Sequence, residues 1–138
     1  MSELKMTVPA RESIKVLLEC IEIQAAKSRD YQNPLSSVKQ ADHYPHGIQT
    51  IMDMAHQKLV RYKSLIEAFE FGEEPKFEAI EDSLKDAINY LSFAVSYLRG
   101  RMDGQSDNRD IFNKIPRAQQ AAKSPADETI ILTEESDK

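Results

Sequence analysis

The residues from Glu78 to Tyr90 carry the pattern that constrains this chain most. At about 100° per residue they form a helix with one apolar face, and Asp86 falls inside that face, between Phe93 and Tyr97. The apolar members of the face are Ile80, Leu84, Ala87, Leu91, Ala94 and Leu98. A charge in such a position predicts a partner, because an unpaired buried charge is costly.

An earlier helical pattern supplies that partner. Lys58 projects within the apolar face of the earlier helix, and Arg61 lies on its border. The apolar face itself consists of Ile48, Ile51, Met52, Ala55, Leu59, Tyr62, Ile66 and Phe69. Two facing helices with opposite inward charges predict either a structural ion pair or a site for phosphate and a metal ion.

Composition favours one modest domain that binds a small ligand or a protein. The chain has 138 residues, 18 basic and 23 acidic side chains and a net charge of −5, which argues against non-specific nucleic-acid binding and against a polybasic membrane contact. No apolar run approaches the length of a membrane span. A single cysteine, Cys20, fits a reducing compartment, so we expect a cytoplasmic protein with no membrane partner.

Apolar periodicity predicts an all-α fold, an antiparallel bundle of three long helices. These run from about Pro9 to Ser28, from His46 to Phe71 and from Pro75 to Gly100. Gly72 suits the left-handed position at the end of the second helix.

The composition changes at both ends of this bundle. We expect a mobile N-terminus at 1–8, a helical domain at 9–104 and a largely disordered, flexible C-terminal tail at 105–138. Within the tail, Ile130 to Leu132 is either unstructured or a short strand or partner-binding peptide.

The first predicted helix has two apolar stripes. The wider stripe is predicted to face the core and consists of Ile14, Leu17, Leu18, Ile21 and Ala25. Val16 and Ile23 form a narrower stripe on nearly the opposite side. A second subunit would cover that narrower stripe, so we expect a homo-oligomer.

The connection from Arg29 to Pro45 is long for a helical bundle. Its mixture of aromatic and hydrogen-bonding side chains indicates either a ligand-contacting loop or a packed connector. Asn33 and Pro34 suit the start of a short helix that would run through Ala41.

Asp82 and Asp86 stand one turn apart on a common face of the third helix, with Asn89 beside them. Carboxylates at this spacing can share Mg²⁺, which prefers oxygen ligands and bridges to substrate phosphates. The alternative is that Asp86 pairs with Lys58 or Arg61. The few glycines include neither a phosphate-binding P-loop nor a dinucleotide fingerprint, which excludes an ordinary P-loop kinase.

Three segments together resemble a known family: Asp30-Tyr31, Lys58-Leu-Val-Arg61 and the run from Glu81 to Tyr90. They look like the helical family called nucleotide modification associated domain 1, found mainly in phage genomes, over about residues 12–98. That family is similar to the MazG-like and dimeric dUTPase all-α NTP pyrophosphatases. The resemblance implies an oligomeric bundle that hydrolyses nucleoside triphosphates with magnesium.

Two departures from the pyrophosphatase pattern stand out. The pattern has Glu three residues before the aspartate, and this chain has Ser83 there. The helix that carries Glu-x-x-Glu in the pattern carries Lys58 and Arg61 in this chain. Cations at this point suit phosphate recognition, because Arg can grip two oxygens at once.

The expected function is nucleotide or deoxynucleotide binding in phage nucleotide metabolism or DNA modification. As a Mg²⁺-dependent pyrophosphatase, the protein would use Asp82 and Asp86 as catalytic residues and metal ligands. The expected substrate-binding residues are Lys58 and Arg61 at the phosphates and Asp30, Tyr31 and Asn89 at the sugar or base. The alternative is a non-catalytic phage accessory protein that sequesters a nucleotide or inhibits a host protein.

Overall fold

The computed structural model describes residues 3–31, 35–105 and 129–134, and within this part the fold is mostly helical. The elements are β1 (Glu3–Val8), α1 (Glu12–Tyr31), a 3₁₀ helix (Gln40–His43), α2 (Ile48–Glu70), α3 (Phe77–Leu98) and β2 (Thr129–Glu134). The predicted all-α class is confirmed, and each long helix begins and ends within a few residues of its predicted bounds.

Helices α2 and α3 form the main packing interface through small side chains. Ala55 of α2 and Ser83, Ala87 and Ala94 of α3 are buried, which lets the two helices approach closely. The turn between them, residues 71–76, contains Gly72, whose φ of 102° lies in the left-handed region as predicted. This short turn makes the two helices antiparallel neighbours.

The apolar core lies at the end of the hairpin where α2 begins and α3 ends. Tyr44, Ile51, Tyr97 and Met102 are its largest fully buried side chains. The backbone N–H of Ala41 donates to the carbonyl of Asp103 at 3.0 Å, which ties the 3₁₀ helix to the segment after α3. The sequence predicts a short helix that runs through Ala41, but residues 35–39 are not helical and the 3₁₀ helix begins only at Gln40. Asn33 and Pro34, its expected start, lie outside the described residues.

Helix α1 packs on α3 through a face that includes Cys20 and Gln24, which lies beside the wider stripe. Leu17 and Ile21 of the wider stripe are 46% and 48% exposed, whereas Cys20 is buried and Ile23 is half-buried. The prediction that the wider stripe faces the core is therefore wrong for Leu17 and Ile21, whereas Ile14 and Leu18 are half-buried. The physical reason is that the packed face carries Gln24, whose amide donates hydrogen bonds to Asn89 and Ser92 of α3.

The two strands form a small parallel sheet in which Glu3 lies opposite Thr129 and Val8 lies opposite Glu134. The sequence pattern predicts no strand at residues 1–8. For Ile130 to Leu132, the structure has the strand rather than the unstructured alternative. Most of the predicted disordered tail falls outside the described residues, so the domain boundaries stay a prediction. Within the described ranges, no helix is both long and apolar enough for a membrane span.

Candidate functional site

A cleft of about 130 Å³ lies where α1, α2 and α3 meet the 3₁₀ helix. We call it the cleft throughout. Its lining residues are Ile23, Gln24, Lys27 and Ser28 of α1, Gln40 of the 3₁₀ helix, Lys58 of α2, and Asp86, Asn89, Tyr90 and Phe93 of α3. All three long helices therefore contribute to one site, which combines charged, amide and aromatic groups.

An ion pair forms one side of the cleft. Lys58 Nζ lies 3.1 Å from Asp86 Oδ2, and the two side chains are 30% and 25% exposed. The predicted pairing of these inward charges is confirmed. Both groups remain at the surface of the cleft, so each can still interact with a bound molecule through its remaining hydrogen-bonding positions.

A group of amide and hydroxyl side chains joins α1 to α3 at the cleft. Gln24 Nε2 donates to Asn89 Oδ1 at 2.8 Å and to Ser92 Oγ at 2.9 Å. Asn89 is 6% exposed, and its Nδ2 donates to no group in the described part of the chain. Because Gln24 fixes the Asn89 carbonyl, the Asn89 N–H₂ group is held in one orientation as a donor at the cleft.

Two aromatic rings supply the apolar part of the lining. The rings of Tyr90 and Phe93 lie edge to face, with 5.9 Å between centroids and 85° between planes. Ile23 of α1 is also part of the apolar lining. A planar apolar group can pack against these side chains while its edge meets the amides.

Two cations and one carboxylate lie among the described residues that line the cleft. Lys27 is exposed on α1, Lys58 is half-buried on α2, and Asp86 is the carboxylate. The local charge is thus positive in a chain whose net charge is −5. An anionic ligand is favoured at this position over the rest of the acidic surface.

The structure brings together three of the predicted site residues, namely Lys58, Asp86 and Asn89. Arg61 and Asp82 are exposed and are not part of the lining. Asp30 and Tyr31 lie in the last turn of α1, and their side chains fall outside the described part of the structure. The roles assigned to all of these residues stay predictions.

A magnesium ion at Asp82 and Asp86 would have to share the Asp86 carboxylate with Lys58. Lys58 already holds one oxygen of Asp86, so a cation there would use the other oxygen or displace the lysine. Among the described residues, no group of three or more His, Cys, Asp or Glu side chains is arranged to hold a metal ion. Mg²⁺ often takes only one or two protein carboxylates plus substrate phosphates, and its binding here stays a prediction.

Next to the cleft, a second ion pair joins α1 to α3. Lys85 Nζ lies 2.7 Å from Glu19 Oε1, and this hydrogen bond raises the pKa of Lys85 above its usual value. Cys20 Sγ lies 3.9 Å from the carbonyl oxygen of Lys85. Burial raises the pKa of the Cys20 thiol, which keeps it neutral and poorly nucleophilic.

Sequence reasoning missed the residues of α1 that line the cleft. Gln24 and Lys27 were not singled out, because the wrong face of α1 was assigned to the core. The sequence does contain a pattern that indicates this face. Cys20, Ile23, Gln24 and Lys27 recur at helical spacing, with a small thiol and an amide among the apolar positions.

Comparison with known proteins identifies no relative. No protein-family model matches the chain, no curated protein matches it, and no solved structure matches it. The resemblance to the nucleotide modification associated domain 1 family therefore stays a prediction that rests on its short motifs.

Proposed function

We propose that this protein binds a nucleotide or deoxynucleotide in the cleft. The observation that carries the proposal is the oriented, buried Asn89 amide, which stands beside two aromatic rings and two lysines. Amide groups recognise the hydrogen-bonding edge of a base, aromatic side chains pack on its face, and ammonium groups attract phosphate. These three kinds of group occur together at this one place.

The size of the cleft indicates how the ligand lies. A volume of about 130 Å³ is on the scale of one six-membered ring, since an apolar cavity of roughly 150 Å³ accepts benzene. We infer that a single-ring base occupies the cleft and that the phosphates lie at its edge near Lys27 and Lys58. We therefore expect pyrimidine nucleotides to bind more tightly than purine nucleotides.

The binding test is a calorimetric titration with the eight common ribonucleoside and deoxyribonucleoside triphosphates, with and without Mg²⁺. Lys27→Gln should weaken triphosphate binding about 5-fold and nucleoside binding hardly at all, because it removes one phosphate contact. Lys15→Gln is the matched control, since Lys15 is also exposed on α1 but lies about three turns away. No binding by any of the eight, or equal losses in both variants, would refute the proposal.

Hydrolysis is the activity that the family resemblance implies for a bound triphosphate. In this form of the proposal, Asp82 and Asp86 hold Mg²⁺, Lys58 contacts the phosphates and Arg61 reaches them from the surface of α2. Asp82→Asn should then abolish product formation while sparing the fold, because Asp82 is exposed and Asn keeps its size. Product formation is measured by chromatography after incubation with each triphosphate.

A non-catalytic accessory protein is the second candidate. It is favoured because Asp86, the carboxylate among the described residues that line the cleft, is already paired with Lys58 and not free to hold a metal ion with both oxygens. Such a protein would sequester a nucleotide or inhibit a host protein in a phage-infected cell. Measurable binding without any product from the eight triphosphates would support this candidate and reject hydrolysis.

A further inference from the structure

A stripe of large apolar side chains lies exposed along α3. Leu84, Leu91, Val95 and Leu98 are between 36% and 48% exposed, and Ile88 is half-buried among them. The buried positions of the same helix are occupied mainly by smaller side chains such as Ser83, Ala87 and Ala94. We call these five exposed or half-buried residues, Leu84, Ile88, Leu91, Val95 and Leu98, the α3 stripe.

The α3 stripe is separate from the cleft. At about 100° per residue, Asn89 and Phe93 point to one side of α3, Ala87 and Ala94 face α2, and the stripe follows on the side beyond them. On α2 the order is Lys58 at the cleft, then Ala55, then the exposed Leu59 and Met52. Because α2 and α3 are antiparallel, Met52 and Leu59 lie on the same side of the hairpin as the stripe.

The spacing of the α3 stripe matches a seam between helices. Leu84, Leu91 and Leu98 recur every seven residues, and Ile88 and Val95 stand four residues after a leucine. This is the heptad pattern in which β-branched and leucine side chains alternate at a helix–helix contact. No charged residue occurs from 87 to 98, although an exposed helix surface normally carries charge.

Charge at the two ends of α3 indicates what covers the stripe. Glu81 precedes the stripe on its border, and Arg99 and Arg101 follow it; all three are exposed. Leu84 and Leu98 are equidistant from Leu91, and so are Glu81 and Arg101. Two copies of α3 that cross antiparallel at Leu91 therefore place leucine on leucine and acidic ends on basic ends.

We propose that a second copy of this chain covers the α3 stripe in a two-fold symmetric dimer, with the two α3 helices antiparallel and centred on Leu91. Met52 and Leu59 of α2 widen the contact to both helices of the hairpin. The interface is the face of the hairpin away from the cleft, so dimerisation leaves the ligand site open. It replaces Val16 and Ile23, which the sequence indicated as the subunit contact.

The first test measures the mass of the full chain in solution by sedimentation equilibrium at micromolar concentration. The wild type should be a dimer of the 15.7 kDa chain. Leu91→Glu should raise the dimer dissociation constant about 30-fold or more, because a central apolar contact is replaced by a charge. Val60→Glu is the matched control: Val60 is 50% exposed on α2 and points away from α3. Circular dichroism verifies that both variants fold.

The second test keeps the interface intact and uses disulfide formation. Leu91→Cys should form a covalent dimer under mild oxidation, because the two copies of this residue meet at the symmetry axis. Leu84→Cys should not, since its copies would lie about 21 Å apart along antiparallel helices. The wild type, whose Cys20 is buried, gives the background. A monomeric wild type, a dimer that survives Leu91→Glu, or a Leu84→Cys disulfide would overturn the proposal.

Discussion

Lys58 of α2 and Asp86 of α3 form an ion pair across the main helix interface, with 3.1 Å between Nζ and Oδ2. The pair is partly exposed at the cleft, so it belongs both to the packing of the hairpin and to the candidate ligand site. Its contribution to stability can be separated from its proposed role in binding, because unfolding of the free protein reports only the contribution to stability.

We expect Lys58 and Asp86 to be energetically coupled in a double-mutant cycle. Lys58→Met and Asp86→Asn should each destabilise the protein by about 1 to 2 kcal/mol, with a coupling energy of about 1 kcal/mol. These values lie between those of surface and buried pairs, because the side chains are 30% and 25% exposed. Urea unfolding measures each free energy, and strictly additive losses would show that the two residues are independent.

The Gln24 amide should matter more for stability than an exposed amide of the same type. Gln24→Leu removes two hydrogen bonds to α3 and leaves the buried Asn89 oxygen without its donor, so we expect a loss of about 2 kcal/mol. Gln49→Leu is the control, because the Gln49 side chain donates to Asp53 at 3.0 Å on an exposed helix surface. Thermal unfolding should show a clear shift for the first variant and almost none for the second.

Two glycines with positive φ should respond differently to alanine. A Cβ at Gly47, where φ is 61°, would lie 2.7 Å from the hydroxyl oxygen of the buried Tyr97, so Gly47→Ala should cost about 2 to 3 kcal/mol. A Cβ at Gly72, where φ is 102°, would meet nothing within 4 Å, so only backbone strain of about 1 kcal/mol remains. Equal losses in the two variants, measured by urea unfolding, would contradict this explanation.

Stability should fall at alkaline pH as the contact between Lys85 and Glu19 is lost. The hydrogen bond to Glu19 raises the pKa of Lys85 in the folded protein above the usual 10.5. Since the folded pKa is the higher one, its contribution is complete below pH 10.5 and disappears as the pH rises through the folded pKa. Lys85→Gln should therefore lose less stability than the wild type over this range.

This comparison needs a control for the neighbouring thiol. Burial raises the pKa of Cys20 from 9.0, so its titration also lowers stability as the pH rises. Thermal unfolding should therefore be compared between two proteins that both carry Cys20→Ala, one with Lys85 and one with Lys85→Gln. An unchanged alkaline slope in Lys85→Gln would show that the ion pair does not contribute.

The sequence was sufficient for the hairpin and its ion pair. The turn at Gly72 and the periodicity of α2 and α3 follow from local backbone preferences, and a helical period places Lys58 and Asp86 on the same inward side. A charge near an apolar interface has few stable arrangements other than pairing. This is why a contact between residues distant in sequence could be predicted from their spacing.

The same reasoning failed for α1, which has more than one candidate packing face. On α1, apolar count favoured Leu17 and Ile21, but the structure buries Cys20 and places Gln24 against Asn89. Apolar periodicity counts a glutamine as polar and therefore as exposed. It contains no information about a hydrogen-bond partner on another helix. The site was consequently predicted without the α1 residues that line the cleft, such as Gln24 and Lys27.

What the sequence by itself determined is local: which segments are helical, where they end, and which residues share a face, since these depend on neighbours within a few positions. Only the tertiary structure decided which of several apolar faces is covered, as Ala87 and Ala94 of α3 are buried while Leu91 and Val95 are exposed. The reason is that close packing of α2 on α3 favours small side chains at this contact, so large apolar side chains do not by themselves mark the covered face of α3.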